Sequence, residues 1–490
     1  MGILPGNNNK NPSGDFRQKI MLATVCFSML MISLNSTIVC VALPTIAESY
    51  HVFADDASWV VLAYLLSLTG TLIIFGRLAD VSSPKRIFIT GLGIFGFFSF
   101  MSAFMPNLEL LVAVRFCQGI GAAMLVSVGG IIVNRFLPQE SAGKNLGLMT
   151  CAIAVGYVVG PPLGGFISSF LSWNWVFLIS VPLAVIILLI ASFIIPEIKK
   201  QKEEGLPIDL PASALFFAGM ILSVVLLSYA DHLIRNPLLM VLILAIAAAC
   251  WVIFIRREKR SNCPLLPLHL LGSSGFALAI LVCLGNAQMD AGSVYLYPFY
   301  LETGKDLSAW TSGLLILIFA AGMGVFGFLY GKISSKRSSE QISIIASVIL
   351  LLSFAGALIS MFSPGLFMIA VALFLGGSAI GLLTTANNHI VTAKTPPESQ
   401  GVVWSMIMTI SGLGSVTGIA VFGLLFSIFV GDTQKISELT QEINPGGFGV
   451  LFVYGMIVSI LLIIANYILA GEKKDKNEGK NEFVKEEINT

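Results

Sequence analysis

The sequence predicts an all-α polytopic membrane protein, and three observations carry that prediction. Apolar residues fill 56% of the 490 positions, charged residues only 11%, and mean hydropathy is +0.89. So much apolar surface is tolerated only in a lipid-like solvent. Fourteen stretches are long enough to cross a bilayer, which takes about 20 apolar residues at 1.5 Å rise. Read as alternating crossings, they put 24 of the 28 Lys and Arg residues on one side and only Arg235, Lys305 and Lys435 on the other. The remaining base, Arg115, falls inside a span. Positive loops are retained in the cytoplasm, so both termini are predicted to lie there. A soluble fold would scatter these charges, and their segregation also excludes a nucleic-acid surface.

In chain order, the predicted spans are 20–43, 57–77, 86–105, 109–133, 146–169, 175–195, 210–230, 237–255, 274–300, 308–331, 341–362, 366–388, 400–429 and 448–470. The longest outer connection, about 431–446, ends at Pro445-Gly446-Gly447 and reads as a small loop or turn. The Lys/Glu/Asn-rich tail from Gly471 is expected to be disordered. Eighteen mostly polar residues precede the first span with no small-residue cleavage site, so the first helix is expected to serve as its own insertion signal. The seven cysteines (26, 40, 117, 151, 250, 263 and 283) avoid the outer loops, and no structural disulfide is expected.

A weak repeat marks the domain plan. Gly76-Arg77-Leu78-Ala79-Asp80-Val81-Ser82-Ser83-Pro84-Lys85-Arg86 joins spans two and three, and Gly331-Lys332-Ile333-Ser334-Ser335-Lys336-Arg337 joins spans ten and eleven. Each sets a glycine and a base at a helix end, then two serines, then a Lys-Arg pair. Two six-helix halves with spans seven and eight between them would give this spacing, and repeated halves are the usual build of secondary transporters. The resulting units are an N-terminal tail (1–18), a first bundle (19–197), a linker with two extra helices (198–260), a second bundle (261–470) and a C-terminal tail (471–490).

Two ionisable groups stand inside the predicted spans. Arg115 would cost at least about 2.5–3.5 kcal/mol at mid-membrane, so it calls for a partner or a pathway unless it snorkels from the helix end. Gln118, Gly119 and Ala122 follow it at helical spacing. Of the 27 acids, only Asp290 lies well inside a span, where Asn286, Asp290, Ser293 and Tyr297 make one polar face. Intramembrane acids face a cavity or a partner, and Asp290 is suited to taking up and releasing a proton. The plainer alternative is a buried polar group tying helices together.

Further along the chain, Gly156, Gly160 and Gly164 recur every four residues and leave a bare stripe on which another helix can pack closely. Pro161-Pro162 removes backbone donors within the same span and should kink it. Asp80, close to Arg77, Lys85 and Arg86, can pair with a base or sit against a helix N-terminus, in contacts that break as two halves rock. Tyr295, Tyr297, Phe299, Tyr300, Trp404, Met406 and Met408 offer an aromatic and thioether lining for apolar guests, although most such residues face lipid or other helices. His389, after Asn387-Asn388 at the end of the twelfth span, reads as a satisfied interfacial residue. No metal-ligand spacing, nucleotide-binding loop or nucleophile–base arrangement is present, so no cofactor, no ATP-driven pumping and no enzymatic activity are expected.

Four local patterns together resemble the major facilitator superfamily, specifically its fourteen-helix drug:proton antiporter branch, over about Lys19 to Ala470. They are Leu34-Asn35-Ser36-Thr37-Ile38-Val39-Cys40-Val41-Ala42-Leu43-Pro44, the Gly76–Arg86 loop, Arg115-Phe116-Cys117-Gln118-Gly119-Ile120-Gly121-Ala122, and the run from Gly156 to Gly165. The resemblance implies a fold of two six-helix bundles plus two inserted helices. It also implies proton-coupled efflux of lipophilic or cationic drug-like compounds by alternating access, from a monomer in the plasma membrane whose partners are protons, substrate and lipid. Under it, Arg115 serves proton coupling and Asn35, Tyr64 and Gln118 line the substrate cavity; the residues themselves add Asp290 to the coupling and Asn286, Tyr297 and Trp404 to the lining. Gly76, Arg77, Asp80 and Arg86 form a conformational latch, and Gly156, Gly160, Pro161 and Gly164 form the antiporter motif.

The chain also departs from that pattern. Asn35 stands where the branch commonly has an acid, Cys40 where it commonly has Asn, and Asn174 where Arg is usual. Val81-Ser82-Ser83-Pro84 replaces the basic and glycine positions of the loop. Losing the acid at Asn35 shifts the expected coupling role onto Asp290, or changes the coupling altogether. The rival expectations are a facilitator-fold exporter of a metabolite or lipid with different coupling, and a non-transporting membrane sensor.

Overall fold

The computed structural model describes residues 12–137, 142–197, 209–229, 236–261, 274–363, 365–394, 400–430 and 445–489, together with Gly272. Its described elements are helices: α1 (Pro12–Tyr50), α2 (Ala54–Val81), α3 (Pro84–Ser102), α4 (Leu108–Phe136), α5 (Ala142–Phe170), α6 (Trp175–Leu178) and α7 (Ser180–Ile194) come first. There follow α8 (Leu210–Ser228), α9 (Pro237–Glu258), α10 (Ser274–Phe299) with a π-helical turn at Tyr300–Gly304, and α11 (Ala309–Ile333). The chain ends with α12 (Ser339–Ser360), α13 (Phe367–Ala393), α14 (Gln400–Phe429) and α15 (Pro445–Asn489). Among the described residues, twelve helices are long and apolar enough to cross a membrane, and α6 with α7 counts as one of them. Helix α2 contributes a shorter apolar stretch, Asp56–Leu72, and α3 is 19 residues long with Lys85 and Arg86 in its first turn. The protein is therefore a multi-span membrane protein.

Side-chain oxygens close the exposed starts of several helices, where backbone donors would otherwise lack partners. Asn107 accepts from Leu110 N at 2.9 Å, Asp209 from Ala212 N at 3.0 Å and Ser308 from Thr311 N at 3.3 Å. Ser338 and Gln341 form a reciprocal capping box at the start of α12. Arg257, at the end of α9, donates from Nε to both Asp209 oxygens at 2.8 and 2.7 Å and so ties α9 to the cap of α8. That bond holds the Asp209 carboxyl below its usual range. The pairing is thus complete at neutral pH and is lost only on acidification through that lowered value.

Two elements differ from the sequence reading. The sixth span is broken at Ile179, because Pro182 cannot donate to the Leu178 carbonyl. The last helix continues through Asn489, where a disordered tail was expected from Gly471. The Lys and Glu residues that suggested disorder are also strong helix formers, and here they extend an existing helix. Helix α5 is helical throughout Pro161-Pro162. The expected loop at 431–446 lies outside the described residues up to 444, as do Arg235 and Lys435.

One pattern of helix pairing occurs twice. Helix α1 packs on α5, α2 on α4, α3 on α4 and α3 on α7; correspondingly, α10 packs on α14, α11 on α13, α12 on α13 and α12 on α15. The α8–α9 pair stands outside this pattern, α9 against α8 and α8 across both α2 and α14. The two sets meet through α5 with α11, α2 with α14 and α1 with α10. Their described contacts run from mid-helix to the end remote from the termini. There Trp310 N donates to Ser169 Oγ at 2.9 Å and its ring meets Phe166 and Phe170. Tyr295 also donates to Ala54 O, at 3.1 Å.

Candidate functional site

Arg115 lies on α4 with none of its surface exposed, so it does not snorkel. Its Nε donates to Val60 O on α2 at 3.0 Å, and its Nη1 donates to Asn35 Oδ1 on α1 at 2.8 Å and to Gln118 Oε1 at 2.6 Å. The guanidinium carbon stands 4.3 Å from the Tyr64 ring centroid and 5.5 Å from that of Phe177. Both rings present their π-faces to the cation, an attraction that strengthens when water is excluded. Asn35 in turn donates to Ser180 at 3.5 Å, a residue placed by the break before α7. No carboxylate lies within ion-pair distance of Arg115 among the described residues. Arg115 Nη2, Gln118 Nε2 and the Tyr64 hydroxyl are buried without a hydrogen-bond partner.

Asp290 sits at mid-helix on α10, half-buried, and its Oδ1 is buried without a hydrogen-bond partner. Cys40 on α1 lies within electrostatic reach of both Arg115 and Asp290, and Tyr157 on α5 within reach of Asp290, Cys40 and Tyr64. The two ionisable groups found in the sequence therefore both adjoin α1, which holds Arg115 through Asn35 and packs on α10. The rest of the predicted α10 face divides. Asn286 donates to Thr384 on α13 at 2.7 Å, and Tyr297 turns into the second helical set against Phe319, fully buried. Tyr297 thus stands inside the second set, because a shared helical face does not fix which neighbour covers each position.

The glycine stripe packs on α1. A Cβ on Gly156 would collide with Ser33 Oγ, one on Gly160 with Thr37 Oγ1, and one on Gly164 would come within 2.9 Å of Ile38 O. Pro161 O faces Gly313 of α11, so this helix joins α1 on one side to the opposite set on the other. In the first turn of α3, Lys85 donates to Ser192 O at 2.6 Å and Arg86 to Glu197 at 2.8 Å, which ties the start of α3 to the end of α7. Gly76 is half-buried on α2; the side chains of Arg77, Asp80 and Trp404 lie outside the described residues. His389 meets Ser339 Oγ at 3.0 Å, as a satisfied polar group would.

Two features escaped the sequence reading. The π-helical turn carries the ninth span past residue 300 and brings Glu302 into it, with a buried, unpartnered Oε1 near Glu48. Tyr157 lay unremarked inside the glycine run; its spacing from the glycines gives no sign that it lies within electrostatic reach of Asp290.

The family model for the Major Facilitator Superfamily matches residues 25–419 and 291–486. The chain belongs to this superfamily. The family is one of membrane transporters, and several relatives carry transporter names. The riboflavin transporter RibZ of Clostridioides difficile (strain 630) is 27% identical over 427 residues, 86% of this chain and 91% of that protein. The uncharacterized transporter YebQ of Escherichia coli (strain K12) is 30% identical over 427 residues, 86% and 92% respectively. The multidrug resistance protein Stp of Mycobacterium tuberculosis (strain ATCC 25618 / H37Rv) is 26% identical over 421 residues, 85% and 78%. Among solved structures, the nucleoside transporter NupG matches with a TM-score of 0.65 at 13% identity, covering 92% of this chain and 99% of that one. A bacterial homologue of the human lysosomal transporter Spinster, inward-facing and unoccupied, matches at 0.60 and 15% identity, covering 94% and 96%. At those identities the structures speak for the fold alone.

Proposed function

We propose that this facilitator is a proton-coupled exporter of amphiphilic, drug-like compounds with fourteen crossings: the twelve apolar helices plus α2 and α3. Its plan is two six-helix bundles, α1–α7 and α10–α15, with the α8–α9 pair inserted between them. With its base-rich side in the cytoplasm, both termini lie inside a plasma membrane, and the contacts around Trp310 and Tyr295 close the outer end. It works as a monomer by alternating access.

The observation that carries this reading is the unpartnered, buried Oδ1 of Asp290 beside the seam between the two bundles. A bare carboxylate buried there is costly, so its charged and protonated states favour different arrangements of the bundles. Protonation relieves that cost and frees the bundles to rock, with the Gly76, Arg77, Asp80 and Arg86 region acting as the latch. One proton per cycle draws on about 2.3 kcal/mol per 100 mV of membrane potential, enough for modest accumulation. The multidrug resistance name of one relative supports an amphiphilic substrate.

Asn35 favours a second reading, a neutral heteroaromatic metabolite as substrate. An amide in place of an acid lessens the pull on cations, and one relative is named as a riboflavin transporter. Accumulation assays in cells expressing the protein separate the two. Export of ethidium, a lipophilic cation, that stops in Asp290→Asn supports the first reading. Export of riboflavin alone supports the second, and no movement of either compound removes both.

A further inference from the structure

Helix α9 ends in a cleft of about 550 Å³ lined by Asp209, Ile253, Arg256, Arg257, Arg260 and Ser261. Three arginines face one acid there, and Asp209 engages Arg257 from both oxygens. Arg256 and Arg260, one helical turn apart and both exposed, have no ion-pair partner among the described residues. Glu258, the nearest other acid on the helix, is buried on the opposite side. The comparable cleft at the start of α3, lined by Lys85, Arg86 and Glu197, has both bases engaged. Of these two clefts, the one at α9 keeps a surplus of two positive charges among the described residues.

The rest of α9 supplies the other half of the site. Only 11% of its span is buried. Above Arg260 and Arg256, the exposed residues Ile253, Ala249, Ile246, Leu242 and Leu239 continue the same 3–4 spacing and make an apolar stripe running from the cleft into the membrane. A ligand matching both parts has an anionic head and long hydrocarbon chains. We propose that this cleft binds the phosphate of an anionic phospholipid between Arg256 and Arg260, with the acyl chains along the α9 stripe. Arginine forks bind phosphate oxygens in pairs, and basic clefts at the cytoplasmic ends of membrane helices suit such headgroups. Because α8 lies across both α2 and α14, a lipid held on α9 loads the helix pair that spans the two sets.

Native mass spectrometry of the full-length protein, purified with mixed phosphatidylglycerol and phosphatidylcholine, tests this. Wild type should retain one phosphatidylglycerol in preference to phosphatidylcholine. The double variant Arg256→Gln/Arg260→Gln should retain about thirtyfold less, the order expected for two lost bases near the headgroups. Ser261→Asp, which keeps every arginine and sets a carboxylate in the cleft, should lose the lipid as well and decides the matter if the double variant folds poorly. Lys336→Gln/Arg337→Gln, two exposed bases at the same end of the molecule, should bind as wild type does. Unchanged retention in Ser261→Asp, or equal loss in the Lys336/Arg337 control, would overturn the site. Displacement of the lipid by millimolar inorganic phosphate would make it a soluble-anion site and overturn the lipid assignment.

Discussion

Arg115 holds its charge deep in the protein on three acceptors and two aromatic faces, with no acid within pairing distance among the described residues. A buried donor that loses its acceptor costs about 1–3 kcal/mol, more when it is charged. Asn35→Leu should therefore lower stability by at least about that much, measured as an earlier thermal unfolding in detergent. Asn35→Asp, which supplies a carboxylate 2.8 Å from Nη1, should unfold no earlier than wild type. Equal melting of Asn35→Leu and wild type would show that this bond does not anchor the arginine. Both Arg115 and Asp290 were legible in the sequence because a charge inside an apolar run has few explanations. Glu302 was not, since the π-helical turn lengthens the span past the point where hydropathy ends it. Tyr297 shared the Asp290 face by periodicity yet packs elsewhere, because periodicity orders a face without naming its neighbour.

Among the helices, the α1–α5 seam makes the sharpest contrast. Gly160 has no room for a Cβ against Thr37, while Gly331 has nothing within 4 Å. Overpacking a close seam costs about 1–3 kcal/mol, whereas Gly→Ala at an open helical site is neutral or stabilising. Gly160→Ala should thus melt earlier than wild type and slow transport, and Gly331→Ala should do neither. Transport by Gly160→Ala at the wild-type rate would remove this seam from the mechanism. The glycine stripe was readable from its four-residue spacing, but its partner helix was not. The break at Ile179 was present in the sequence as Pro182, and only the fold shows that it delivers Ser180 to Asn35. The helical course of residues 471–489 was hidden by composition, since Lys and Glu serve a solvated coil and a helix equally well.

For the whole molecule, segregated bases and apolar runs were enough to place the chain in a membrane, and the twice-occurring loop hinted at the twice-occurring helix pairing. Which end is closed was not legible, because it depends on contacts between helices far apart in sequence, such as Ser169 with Trp310. Alternating access requires those contacts to part. In a background with the native cysteines replaced, Ser169→Cys and Trp310→Cys joined by a short bifunctional thiol reagent should abolish transport, and a cleavable reagent should allow its recovery on reduction. Undiminished transport by the cross-linked protein would mean that this end need not open.

The central claim is that Asp290 couples proton movement to substrate movement. Proteoliposomes with an imposed pH gradient test it, comparing uptake against a concentration gradient with counterflow exchange of the same substrate. Asp290→Asn should keep counterflow within about threefold of wild type and lose all accumulation driven by the pH gradient, since exchange needs the site but not the titrating group. Gradient-driven accumulation that survives in Asp290→Asn would contradict the account.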